Sequence, residues 1–193
     1  MKVTKASWVF LPFLALGGCA RPSAVNVSVA AQKLAASDGA TYVVPPGSDG
    51  QAHLTVLVFS AWHCPCQTAH DARLQDLYAR YRALGVDFFA VDSEIGGTPR
   101  DDAAKAAQHG YAFPVLFDHG AGLARALHAE YATESFVVDR QGTVRYHGGL
   151  DTDQKTLHEN AVPLLTNALD DLLAGRTPRS AETKALGCSL QTW

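Results

Sequence analysis

The stretch His53 to Phe59, HLTVLVF, is an almost unbroken apolar run rich in β-branched residues. It predicts a central strand buried on both faces. Gln67 to Leu84 follows with a different period. Leu74, Leu77, Tyr78, Tyr81 and Leu84 recur at helical spacing and would form one apolar stripe, with Gly85 as the stop. Val86 to Val91, VDFFAV, predicts a second buried strand, and Arg100 to His109 a short helix with aspartates in its first turn. Phe113 to Phe117 reads as a strand that Pro114 confines to an edge or to a strand start. Gly120 to His128 reads as a helix. Ser135 to Asp139 and Thr143 to His147 flank Arg140-Gln141-Gly142 as a hairpin. The last helix is expected to be capped by Asn160, with Pro163 in its first turn, a Leu165, Leu169 and Leu172 stripe, and Gly175 at its end. Strands and helices alternate and a hairpin closes the series. The fold class is therefore α/β, a mixed β-sheet that is parallel in its centre, with helices on both faces. Thr41 to Val44 predicts a short extra strand. Residues 41–175 are expected to form the domain, after a tether and lead-in over 19–40 and before a polar tail over 176–193.

The amino terminus changes the picture. Lys2 and Lys5 precede an apolar run from Ala6 to Leu16, too short to span a bilayer and the right length for a signal peptide, residues 1–18. Leu16-Gly17-Gly18-Cys19 resembles the cleavage box of bacterial lipoproteins. That resemblance implies that Cys19 is lipidated, that the protein is anchored in a membrane facing the periplasm, and, with alanine at position 20, that this is the outer rather than the inner membrane. The net charge of −3 comes with no basic stripe, so nucleic acid is not expected as a partner. Export permits disulfides. With Cys19 acylated, Cys64, Cys66 and Cys188 remain, an odd number that leaves one sulfur unpaired or shared.

The candidate chemistry lies in SAWHCPCQTAH, residues 60–70. It follows a buried strand and opens a helix, where sites form at the carboxyl edge of open α/β sheets. Thiolate is the nucleophilic form of cysteine, and a helix N-terminus favours it. Cys64 sits at that junction, with Pro65 suited to the first helical position, His63 able to add positive charge and Trp62 able to shield one side. Cys64 is therefore the expected nucleophile. Its partner stays open. Cys66 is adjacent, but residues i and i+2 of a helix point about 200° apart, so that bridge would be strained. Cys188 could reach in from the tail. A competing reading is a soft metal site, Cu(I) or zinc, built from Cys64, Cys66, His63 and His70.

Taken together, VLVFSAWHCPC with LQDLYARYRALGVDFFAVD, and later FVVDRQGTVRYHGGLD, resemble the thioredoxin-like redoxins, the group that holds the TlpA-like and AhpC/TSA-like proteins. The tail LLAGRTPRSAETKALGCSL is similar to an exported branch that ends in a Gly-Cys segment. The resemblance implies a thioredoxin-like fold and thiol–disulfide exchange with protein thiols and disulfides of the periplasm, with no cofactor. Three positions depart from the family pattern. Gln67 stands where a Cys-x-x-Cys motif has its second cysteine. Ala61 replaces the peroxiredoxin threonine, which makes peroxidase activity less expected. Thr133 stands where thioredoxins carry a cis-proline. Beside it, Glu134 is expected near Cys64 as a proton relay. Copper-delivering relatives use a distant histidine, for which His147 is the candidate, so a copper chaperone is the alternative function. A degenerate redoxin serving as a non-catalytic binding module is the third.

Overall fold

The computed structural model describes residues 23–45 and 53–192. Three parallel strands, β3 (Leu54–Ser60), β4 (Val86–Asp92) and β5 (Val115–Phe117), are extended by β6 (Ser135–Asp139), antiparallel to β3, and β7 (Val144–Gly148), antiparallel to β6. The sheet order is β5-β4-β3-β6-β7. A separate two-stranded ladder pairs β1 (Gln32–Ala35) with β2 (Thr41–Val44). The helices are α1 (Pro65–Tyr81), α2 (Pro99–Gln108), α3 (Gly122–Leu127) and α4 (Leu164–Leu173).

Every residue of β3 is buried, because the strand lies between β4 and β6 and both of its faces are covered. Alternation then sorts the core into two layers. Leu57, Phe59, Phe89, Val91, Leu116 and Phe136 point into one layer, closed by Val44 of β2 and by Leu123 and Leu127 of α3. Val56, Val58, Phe88, Ala90, Val115 and Val137 point into the other, closed by Leu74 and Tyr81 of α1, Ala106 of α2, and Leu165 and Leu169 of α4. Helices cover both faces, as the alternation of elements predicts.

Several local expectations differ from what is observed. The α-helical hydrogen bonding of α1 ends at Tyr81, and the chain tightens into a 3₁₀ turn over Arg82–Leu84 before Gly85 adopts a left-handed conformation, φ 76°. That rotation takes Leu84 off the apolar stripe, and it is 52 % exposed. Asn160 does not cap the final helix, which starts at Leu164 directly after Pro163. The lead-in segment is part of the folded unit. It contains β1, and Ala24, Val29 and Ala36 are buried in the first layer. Residues 1–22 and 46–52, which include the signal segment and Cys19, lie outside the described residues.

The polar tail docks along the domain. Ala181 and Thr183 exchange backbone hydrogen bonds with His147 of β7, both 2.9 Å. Further on, Ala132 N–H donates to the Cys188 carbonyl and Leu190 N–H to the Glu130 carbonyl, both 2.8 Å. The Ile95 N–H finally meets the Gln191 carbonyl at 2.8 Å. Residues 181–191 therefore form a strap across the carboxyl edge of the parallel strands.

Candidate active site

The site begins where β3 ends at Ser60. The chain turns through Ala61, Trp62 and His63, and Cys64 N–H donates to the Ala61 carbonyl at 2.9 Å. Cys64 is the N-cap of α1, with extended backbone angles, and Pro65 occupies the first helical position. Gln67 locks this turn from inside the helix. Its Oε1 accepts from Ala61 N–H at 2.7 Å, and its Nε2 donates to the Tyr111 hydroxyl at 3.2 Å. That hydroxyl in turn donates to Asp71. The amide of Gln67 thus holds the loop that carries Cys64.

Cys64 is 1 % exposed, while Cys66 and Cys188 are half-buried, and all three are free thiols. Their sulfurs lie within 4.8 Å of one another. The strap brings Cys188 there, and its N–H donates to Cys64 Sγ at 3.3 Å. Burial opposes ionisation of Cys64. Hydrogen bonding from the Cys188 thiol, with the N–H groups of Gln67, Cys188 and Cys66, outweighs it and holds the Cys64 thiol below its ordinary range. The same contacts act oppositely on the neighbours. Burial and the charge of Cys64 raise Cys66. Burial and the hydrogen bond to Cys64 push Cys188 up to about 12. One sulfur is biased toward thiolate and two toward thiol.

The histidines do not join the sulfurs. His63 is half exposed and faces Glu94, with Nδ1 3.4 Å from its carboxylate. His70 is buried. Its Nδ1 lies 2.7 Å from the Cys66 carbonyl and its Nε2 3.1 Å from Asp151. His147, the candidate distant histidine, is buried, stacked on Phe136 and 2.6 Å from Glu134. Among the described residues, the group able to hold a metal ion is Cys64, Cys66 and Cys188. This corrects the mixed Cys/His set of His63, His70 and His147 with the two helix cysteines.

Glu134 is fully buried at the base of the loop facing Cys64. Its Oε2 accepts the N–H groups of Glu130 and Tyr131 at 2.7 and 2.9 Å, and its Oε1 meets His147. It fixes the loop on which the strap docks. Thr133 takes φ 65°, and its N–H reaches the Phe59 carbonyl at 2.8 Å.

One group is absent from the sequence reading. Trp62 Nε1 donates to both Asp92 (3.0 Å) and Asp102 (2.8 Å), so the indole is anchored by two buried carboxyl groups. Burial and the nearby Asp92 raise Asp102 to about 7. The only advance signal was a tryptophan at a loop, which when buried requires an acceptor for its N–H.

The sequence model of the Redoxin family matches residues 22–163. The chain belongs to the redoxin family. Among solved structures, this redoxin is similar to an uncharacterized conserved protein from Geobacillus kaustophilus, with 26 % identity over 88 % of this chain and 92 % of that one, and a TM-score of 0.77. It is also similar to a hypothetical protein from Sinorhizobium meliloti 1021, with 21 % identity, 90 % and 96 % coverage and a TM-score of 0.79. The peroxidoxin BcpB from Mycobacterium tuberculosis matches at 17 % identity over 63 % of this redoxin and 82 % of its own chain, with a TM-score of 0.53, which is a likeness of fold. A search of curated proteins finds no match.

Proposed function

We propose that this redoxin is a thiol–disulfide oxidoreductase in which Cys64 attacks and Cys188 resolves, acting on protein thiols and disulfides of the periplasm from a membrane to which Cys19 is lipid-anchored. The observation that carries the reading is the opposed bias of sulfurs within 4.8 Å of one another, Cys64 toward thiolate and Cys188 toward thiol. In the reducing direction, the Cys64 thiolate attacks one sulfur of a substrate disulfide. A Cys64–substrate mixed disulfide forms, and the other substrate sulfur leaves as thiolate and takes a proton. Cys188 then loses its proton, attacks Cys64 Sγ and expels the second substrate sulfur. Two electrons have passed to the substrate, and the enzyme holds a Cys64–Cys188 disulfide. The reverse sequence oxidises a dithiol. Cys66, carried on the same helix start as Cys64, is the lesser partner because a bridge between residues i and i+2 would be strained. Glu134 serves by shaping the loop beneath the strap.

The test is disulfide reduction by the full chain and its single variants. Cys64→Ser is expected to lower the rate at least about 1,000-fold. Cys188→Ser should accumulate a mixed disulfide that mass spectrometry locates on Cys64, and Cys66→Ser should retain most of the rate. Activity that survives Cys64→Ser refutes the assignment. So does a native disulfide map placing Cys64 only with Cys66.

A further inference from the structure

Exchange uses two sulfurs at a time, yet three are gathered here. We infer that Cys64, Cys66 and Cys188, when reduced, form a three-coordinate site for a soft monovalent metal ion, Cu(I). Two ligands come from the first turn of α1 and the third from the strap, which closes a sequence-local pair into a triangle. The dimensions fit. A metal–thiolate bond of about 2.3 Å, arranged trigonally, separates sulfurs by about 4 Å, and these three lie within 4.8 Å of one another before any ion draws them in.

The donor set selects the ion. It is all sulfur, which favours Cu(I) over harder ions. Among the described residues no histidine or carboxylate completes it: His63 faces Glu94, both ring nitrogens of His70 are engaged, and His147 lies on Glu134 and Phe136. A structural zinc site takes four protein ligands, whereas three thiolates satisfy Cu(I) without a fourth. The surroundings suit the net negative charge of such a centre. The N–H groups of Cys66 and Gln67 at the start of α1, and the Cys188 N–H, are already turned toward Cys64 Sγ. Each ligating thiol releases its proton to solvent, and copper stays in the +1 state throughout, so binding needs no oxidant or reductant and tightens as pH rises. The inference rests on the cluster's geometry and not on the exchange reaction.

The experiment titrates the fully reduced full chain, without oxygen, with Cu(I) against a chromophoric Cu(I) chelator, and reads the coordination shell by X-ray absorption. The expected result is one ion per chain in a three-sulfur shell, with affinity falling at least about 100-fold in Cys188→Ser and in Cys66→Ser. Circular dichroism of each variant confirms that it is folded. Failure to compete with the chelator overturns the proposal. Equal affinity in Cys188→Ser overturns it too, because the strap would then supply no ligand. Zinc held in preference to Cu(I) overturns the choice of ion. Disulfide reduction, assayed on the metal-free protein, is independent of all three outcomes and separates a failed metal site from a failed catalytic assignment.

Discussion

At the scale of single residues, the buried pair Asp92 and Asp102 carries a testable consequence. Asp102 Oδ1 accepts from Trp62, but Oδ2 is buried with no partner, and Asp92 stands beside it. A proton on Asp102 resolves this arrangement: protonated, Oδ2 donates to Asp92 and only one of the pair bears charge. In the folded protein Asp102 is raised to about 7, well above the ordinary carboxylate range, so the folded protein binds the extra proton. Stability from this group is therefore full below about pH 4 and is lost as pH rises through 7. Asp102→Asn mimics the protonated form, its oxygen accepting from Trp62 and its amide donating to Asp92. The difference in unfolding free energy between the variant and the wild type should grow in favour of the variant from pH 4 to pH 8. Urea denaturation at each pH measures it, and a flat difference would rule out the shared proton. Gln67 gives a simpler case. Gln67→Ala leaves the buried Ala61 N–H without its acceptor, and should cost about 1–3 kcal/mol in the same assay.

At the scale of elements, the strap explains three glycines. A Cβ on Gly187 would collide with the Ala132 carbonyl, one on Gly148 with Thr183, and one on Gly149 would lie 2.8 Å from the Lys184 carbonyl. The Gly-Cys pair of the tail is thus a docking device: glycine lets the backbone press against the 130–134 loop, and the next residue then reaches Cys64. Gly187→Val should lift the strap locally and speed alkylation of Cys64 several-fold while the two core layers persist. An unchanged alkylation rate would show that the collision is absorbed elsewhere. This contact also marks what the sequence could and could not disclose. β3 was legible because a strand buried on both faces must be apolar throughout, and α1 because its stripe repeats at helical spacing. The Cys64-Pro65 junction was legible because proline favours a helix start. The strap was not, since it docks by backbone hydrogen bonds and close glycine contacts that leave no hydrophobic period. Neither were the buried roles of His70, Glu134, His147 and Asp102. Such residue types usually lie at the surface, and their partners here are distant in sequence: Asp151 for His70, His147 for Glu134, Trp62 for Asp102. Leu84 misled for a related reason. Its spacing fits α1, but the tightening to a 3₁₀ turn changes the rotation per residue.

At the scale of the whole molecule, the sheet and its helices form a scaffold complete without the strap. Both core layers are built from residues before Arg176, with Leu190 only packed against one of them. The strap lies over the carboxyl edge and does two things to Cys64: it buries the sulfur, and it supplies the Cys188 N–H and thiol that favour thiolate. Removing residues 181–193 separates these effects. Access should improve, so the plateau rate of iodoacetamide alkylation at alkaline pH should rise at least about tenfold. Thiolate should become harder to form, because the α1 N-terminus alone then opposes the remaining burial, so the midpoint of the pH–rate profile should move up. The truncated chain should still fold, with Tm lowered by roughly 4–8 °C if the strap's hydrogen bonds contribute about 2 kcal/mol. A higher plateau with an unmoved midpoint would mean that α1 alone activates Cys64 and that the strap is only a cover. An unmoved plateau would mean that the strap already opens fast enough for reagents to enter, and that Cys64 is guarded by equilibrium opening rather than by fixed burial.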